Sequence, residues 1–111
     1  MATIINKYDD VAVLTVKDDL AGDSVEQFLE RANQTISDGI NQLVIDCGKL
    51  HVLDSHGLEA LLELQTRCEE LLGSVKLCAV DESCTKILEM TRLATRFESY
   101  DDLDSAVKSF R

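Results

Sequence analysis

The chain has 111 residues, 45% of them hydrophobic, with 21 Asp+Glu against 11 Lys+Arg and a formal charge of −10. That length fits one domain with a core of its own. The acidic balance, with no cluster of Lys and Arg, excludes a nucleic-acid surface, which needs basic side chains to displace phosphate counterions. It disfavours an anionic membrane and favours partners with basic faces.

The apolar content is too high for a disordered chain. No apolar run reaches the roughly 18 residues of a membrane span. Met1-Ala2-Thr3-Ile4 lacks the charged start and apolar stretch of a signal peptide. A cytoplasmic chain without membrane insertion is the expectation. Cys47, Cys68, Cys78 and Cys84 form no C-x-x-C pair. They are expected to be buried free thiols and not a disulfide framework.

In chain order, Thr3-Ile4-Ile5 and the run Val11 to Val16 are rich in strand formers. With Tyr8-Asp9-Asp10 between them they predict a hairpin. A helix follows, opened by a capping box of Ser24 with Gln27 or Asp23 with Glu26. Its apolar face is Val25, Phe28, Leu29, Ala32 and Ile36, and Gly39 ends it as a left-handed cap. Gln42 to Cys47 predicts a buried central strand. After a loop, Leu58, Leu61, Leu62, Gln65, Cys68, Leu71 and Leu72 keep helical spacing, and Gly73 stops that helix. The leucine stripe from Leu61 to Leu72 is expected to be core.

Val75 to Val80 predicts a further strand. Ser83 is expected to cap a helix running to about Thr91, with Ile87 and Leu88 inward. A weak strand over Arg96 to Tyr100 and a last helix capped by Asp101 complete the order β-β-α-β-α-β-α-β-α. Strand–helix–strand units favour parallel pairing with right-handed crossovers. The expected fold is a single small α/β domain with a mixed sheet, its opening hairpin adding an antiparallel edge.

The informative segment runs from Leu50 to Glu59, joining the buried strand to the central helix. Asp54 or Ser55 falls at the N-cap, where a side-chain oxygen can accept from an orphan N–H. Gly57 lets another surface approach the first turn, at a cost in helix propensity. An exposed hydroxyl here has a distinctive property. A phosphate placed on it would meet the positive end of the helix dipole and free N–H groups. It would also add about −1.5 to −2 charges beside Asp54. Such a change can abolish docking without unfolding the domain.

Asp54-Ser55-His56-Gly57-Leu58, placed after the strand Leu43-Val44-Ile45-Asp46, resembles the D-S-x-G-L signature of the STAS domain. More narrowly it resembles the bacterial anti-sigma-factor antagonists, and element order and length match over nearly the whole chain. The resemblance implies a binding switch and no enzyme. The unphosphorylated antagonist would bind an anti-sigma factor that is also a serine kinase, and so free a sigma factor. The kinase would phosphorylate Ser55 and dissolve the complex, and a phosphatase would reset it. Asp54, His56, Gly57, Leu58 and Glu59 become the expected partner-binding residues. The chain departs from the family at His56, where many members have a second serine. It also departs at Glu59 and Asp18, where glycine is frequent. Two other roles within the family stay open: a scaffold subunit of a signalling assembly, and an accessory subunit of a lipid-transport ATPase.

Other chemistries fit less well. Asp54, Ser55 and His56 are triad residue types, yet sequential neighbours at a helix start diverge, and no G-x-S-x-G elbow is present. Cys47, His51 and His56 match no common zinc spacing, so no metal is expected. His56 could tune partner binding with pH. With no Walker loop and no G-x-G-x-x-G, no cofactor is expected.

Overall fold

The computed structural model describes residues 3–110. The expected hairpin forms from β1 (Thr3–Tyr8) and β2 (Val11–Val16), paired antiparallel from Thr3↔Val16 to Tyr8↔Val11. Three parallel neighbours follow: β4 (Gln42–Asp46) on β2, β6 (Ser74–Cys78) on β4, and β7 (Glu98–Tyr100) on β6. The sheet order is β1-β2-β4-β6-β7.

Period-2 alternation divides this sheet between two cores. Ala12, Leu14, Val16, Leu43, Ile45, Val75 and Leu77 join the larger one, which holds Phe28 of α1 (Ser24–Ser37) and Leu61 and Leu64 of α2 (Ser55–Glu70). Val11, Val13, Val44 and Cys78 face the other way, under Ala106 and Val107 of α4 (Leu103–Lys108). Central β4 is covered on both faces, which is why its middle reads as an unbroken apolar run. α3 (Glu82–Met90) brings Cys84 and Leu88 to the larger core. All four cysteines are buried and free, as expected.

Two buried polar side chains tie these layers together. Gln65 on α2 accepts from Val75 N–H at 2.6 Å and donates to the carbonyls of Val75 and Arg96. Lys76 on β6 donates to Ser109 Oγ at 2.8 Å and pairs with Glu98 at 3.0 Å. Its ammonium lies 4.2 Å from the Phe110 ring centre. A buried cation is tolerable only when it is satisfied in this way.

Several local expectations are corrected. The segments read as loops contain strands: β3 (Asp18–Leu20) pairs parallel with β5 (Leu50–Leu53) in a separate two-stranded sheet. Asp18 holds a left-handed φ of +68°, the conformation that explains a preference for glycine there. No capping box opens α1. The Asp23 side chain makes no cap bond, and the Ser24 hydroxyl turns back to Ala21, accepting from its N–H at 3.1 Å. Asp81, not Ser83, caps α3, and Asp102, not Asp101, caps α4. Residues 94–96 form a 3-10 turn before β7.

Gly39, at φ +104°, ends α1 as expected. At the end of α2, however, the left-handed residue is Leu72 (φ +66°), and Gly73 N–H closes the turn onto the Cys68 carbonyl at 2.7 Å. Gly73 is required for a different reason: a Cβ there would stand 1.9 Å from the Asn41 carbonyl oxygen. Leu61 and Leu64 are core, whereas Leu71 and Leu72 lie on the surface.

Candidate functional site

The site is the junction of β5 with α2. Asp54 is extended (φ −109°, ψ −176°) and Ser55 begins the helix, so Asp54 is the N-cap. One carboxylate oxygen accepts from Gly57 N–H at 3.0 Å. The other accepts from Gly22 N–H at 3.1 Å, a residue 32 positions away between β3 and α1. His56 Nδ1 lies 3.6 Å from that second oxygen. The Gly57 bond, followed by those from Gly22 and His56, holds the Asp54 carboxyl below the usual carboxylate range. Asp54 therefore caps one helix and fastens the approach to another.

Gly57 explains how closely the two segments meet. A Cβ on it would lie 2.1 Å from the Leu20 carbonyl oxygen and 2.9 Å from Leu53 Cδ1. The surface that approaches the first turn is thus the protein's own backbone. Leu58 is 7% exposed and belongs to the larger core. Gly57 and Leu58, expected as partner contacts, are both buried, with β3 against Gly57 and the larger core around Leu58. Ser55, His56 and Glu59 are exposed, and Asp54 is half-buried.

The Ser55 hydroxyl makes no hydrogen bond among the described residues. It stands at the first position of a helix whose first turn contains no acidic side chain. His56 contacts Asp54 and not Ser55, so no base meets the hydroxyl, and the three triad residue types form no relay. Among the described residues, no group of three His, Cys, Asp or Glu side chains could hold a metal ion. Cys47 is enclosed and far up the thiol range through burial, away from metal-ligand chemistry.

Sequence reasoning missed the contribution of Ala21, Gly22 and Asp23. The Gly22–Asp54 bond places this turn beside α2, and the exposed Asp23 with it. No local pattern signals a contact across 32 positions.

This architecture is that of a known family. The STAS domain family matches residues 2–106, and the chain belongs to it. Three solved structures illustrate the likeness. SpoIIAA, a Bacillus cell fate determinant and anti-sigma-factor antagonist, in its unphosphorylated form, superposes with a TM-score of 0.87 at 18% identity, over 99% of this chain and 96% of that one. An anti-sigma-factor antagonist from Mycobacterium paratuberculosis gives 0.86 at 22% identity, over 97% and 92%. A variant of RsbS from Moorella thermoacetica gives 0.82 at 25% identity, over 98% and 94%. The two matches below 25% identity establish the fold. No protein of curated function matches the sequence significantly. No helix among the described residues is long and apolar enough to cross a membrane.

Proposed function

We propose that this chain is an anti-sigma-factor antagonist whose binding is switched by phosphorylation of Ser55. One observation carries the reading: an exposed, unbonded serine hydroxyl at the first residue of a helix whose N-cap, Asp54, is already committed elsewhere. The hydroxyl is accessible to a kinase, and the helix N-terminus favours a phosphate once it is attached.

In the unphosphorylated state, Ser55, His56 and Glu59 with the Ala21–Asp23 turn form the face that grips an anti-sigma factor. That partner is also the serine kinase, and its capture frees the sigma factor. Phosphorylation replaces a neutral hydroxyl by about −1.5 to −2 charges. The added charge falls beside the Asp54 carboxylate and the exposed Asp23. A partner surface that fitted the hydroxyl must then desolvate a dianion, and the complex separates. The helix tolerates the change, so the domain stays folded. A phosphatase restores the binding state. No step of this cycle asks the chain itself for catalysis.

The test is phosphorylation by an extract of the native cells with and without ATP, followed by site mapping. The reading expects one phosphoryl group, on Ser55, and none on Ser55→Ala. An unmodified chain that still retains its partner with ATP present would leave a constitutive binder in place of a switch.

A further inference from the structure

The exposed side of α2 continues past its first turn as a surface that shares Glu59 alone with the face around Ser55. A shallow groove of about 530 Å³ runs along it, bounded by Glu59, Leu62, Glu63, Thr66 and Glu70, with Arg96 on the far side. These α2 positions follow Ser55 at helical spacing, so the groove continues the face that begins at the phosphoacceptor.

Its charges are unbalanced by construction. Arg67 on its wall donates to Asn33 and Ser37 of α1, and Arg96 pairs with Glu69 at 3.2 Å. Glu59, Glu63 and Glu70 pair with no cation among the described residues. Glu59 and Glu63 stand four apart on one helix, an arrangement of like charges that lowers helix stability. Glu63 also stands four residues before Arg67, so the groove's excess of acid is three carboxylates to two guanidinium groups. Between these carboxylates, half-buried Leu62 packs on the larger core and supplies an apolar floor.

We infer that this groove docks an amphipathic helix of the protein partner, one presenting Lys or Arg at one-turn spacing beside an apolar side chain. The partner's cations answer the three carboxylates, and its apolar residue covers Leu62. A helix suits the groove better than a strand. No strand residue lines it to offer backbone pairing. The span from Glu59 to Glu70 is about 16 Å, or three helical turns. The inference rests on the proposed role of this chain as a binding domain, and extends its contact surface from the first turn to the whole exposed side of α2.

The test uses the full chain and a synthetic helical peptide with Lys at one-turn spacing around a central Leu. Amide NMR should show shifts confined to Glu59, Leu62, Glu63, Thr66 and Glu70. The double variant Glu63→Lys, Glu70→Lys should bind the peptide about tenfold or more weakly and bind a Glu-for-Lys peptide better. Asp101→Lys with Asp104→Lys, equal in charge but at the start of α4, should bind like wild type. Shifts spread over the acidic surface, or equal losses in both double variants, would overturn the groove. Ser55→Ala separates this idea from the switch. It should keep wild-type peptide binding while losing phosphorylation, so either claim can fail with the other intact.

Discussion

The starts of α2 and α3 are built to the same local plan. Each has an extended Asp at the N-cap that accepts from the N–H three residues on, Asp54 from Gly57 at 3.0 Å and Asp81 from Cys84 at 2.8 Å. Each carries an exposed serine in its first turn, Ser55 and Ser83. The differences lie outside the cap. Asp54 spends its second oxygen on Gly22, and Gly57 receives the Leu20 backbone. Among the described residues the Asp81 carboxylate accepts no hydrogen bond from another element, with His51 acting on it only through charge, and Glu82 already places an acid in the first turn of α3. A cap makes a helix start, whereas the long-range contacts to the β3–α1 turn make a rigid face there. Beyond the Asp54 cap, the first turn of α2 adds no further carboxylate, whereas that of α3 adds Glu82.

The comparison can be broken most forcefully at Gly57. Gly57→Ala drives a Cβ into the Leu20 carbonyl oxygen, which is held in β3 and cannot retreat. A loss of about 1–3 kcal/mol in stability is expected, read from the urea midpoint. The matching position of α3 already accommodates the Cys84 side chain.

The next largest contrast concerns binding. Ser55→Asp should weaken the partner complex by about tenfold, or 1.4 kcal/mol, while Ser83→Asp leaves it unchanged. The Asp substitution understates the effect, because one carboxylate imitates a phosphate poorly. Titration calorimetry with the captured partner reads both.

A smaller contrast separates the caps themselves. Asp54→Ala should expose the Gly22 amide to hydrogen exchange as well as that of Gly57, since both donate to the lost carboxylate. Asp81→Ala should open only amides of its own helix, those of Cys84 and Ser83. Equal local effects would mean that Asp54 is an ordinary cap.

Acid tests both caps together. Asp54 and Asp81 have folded-state pKa values lowered below 3.8, each led by the N–H bond from its helix. A lowered folded value means stability that is present above the unfolded pKa and lost as pH falls through the folded one. Asp102 behaves likewise through Ser105 N–H, and Glu98 is held below 4.5 by Lys76. Stability should therefore be steady near neutrality and decline from roughly pH 4.5 downward. Asp54→Asn and Asp81→Asn should each flatten that decline, as followed by thermal unfolding at stepped pH.

The parts legible in the sequence were those with a local period. The β1–β2 hairpin, β4, β6 and the α1 and α2 faces announce themselves because alternation or helical spacing persists over several residues. β3 and β5 did not, since three and four residues are too short to establish a period. Their pairing joins segments far apart in the chain. The site was half legible for the same reason. The cap pattern narrows the N-cap to Asp54 or Ser55, and the structure places it at Asp54. At Gly57 and Leu58 the sequence shows a need for close approach but not which surface approaches, and β3 and the larger core lie against them. Gly22 gave no signal at all, because its bond to Asp54 exists only after β3 and β5 have aligned.

The central claim is that one hydroxyl among several exposed serines decides binding. Its most direct measurement is phosphosite mapping of the chain after incubation with the partner kinase and ATP, read alongside retention of the complex on a sizing column. The account predicts a single phosphoryl group on Ser55, none on Ser83 or Ser105, and loss of the complex in step with its addition. Modification at another hydroxyl, or a complex that survives full phosphorylation of Ser55, would contradict it.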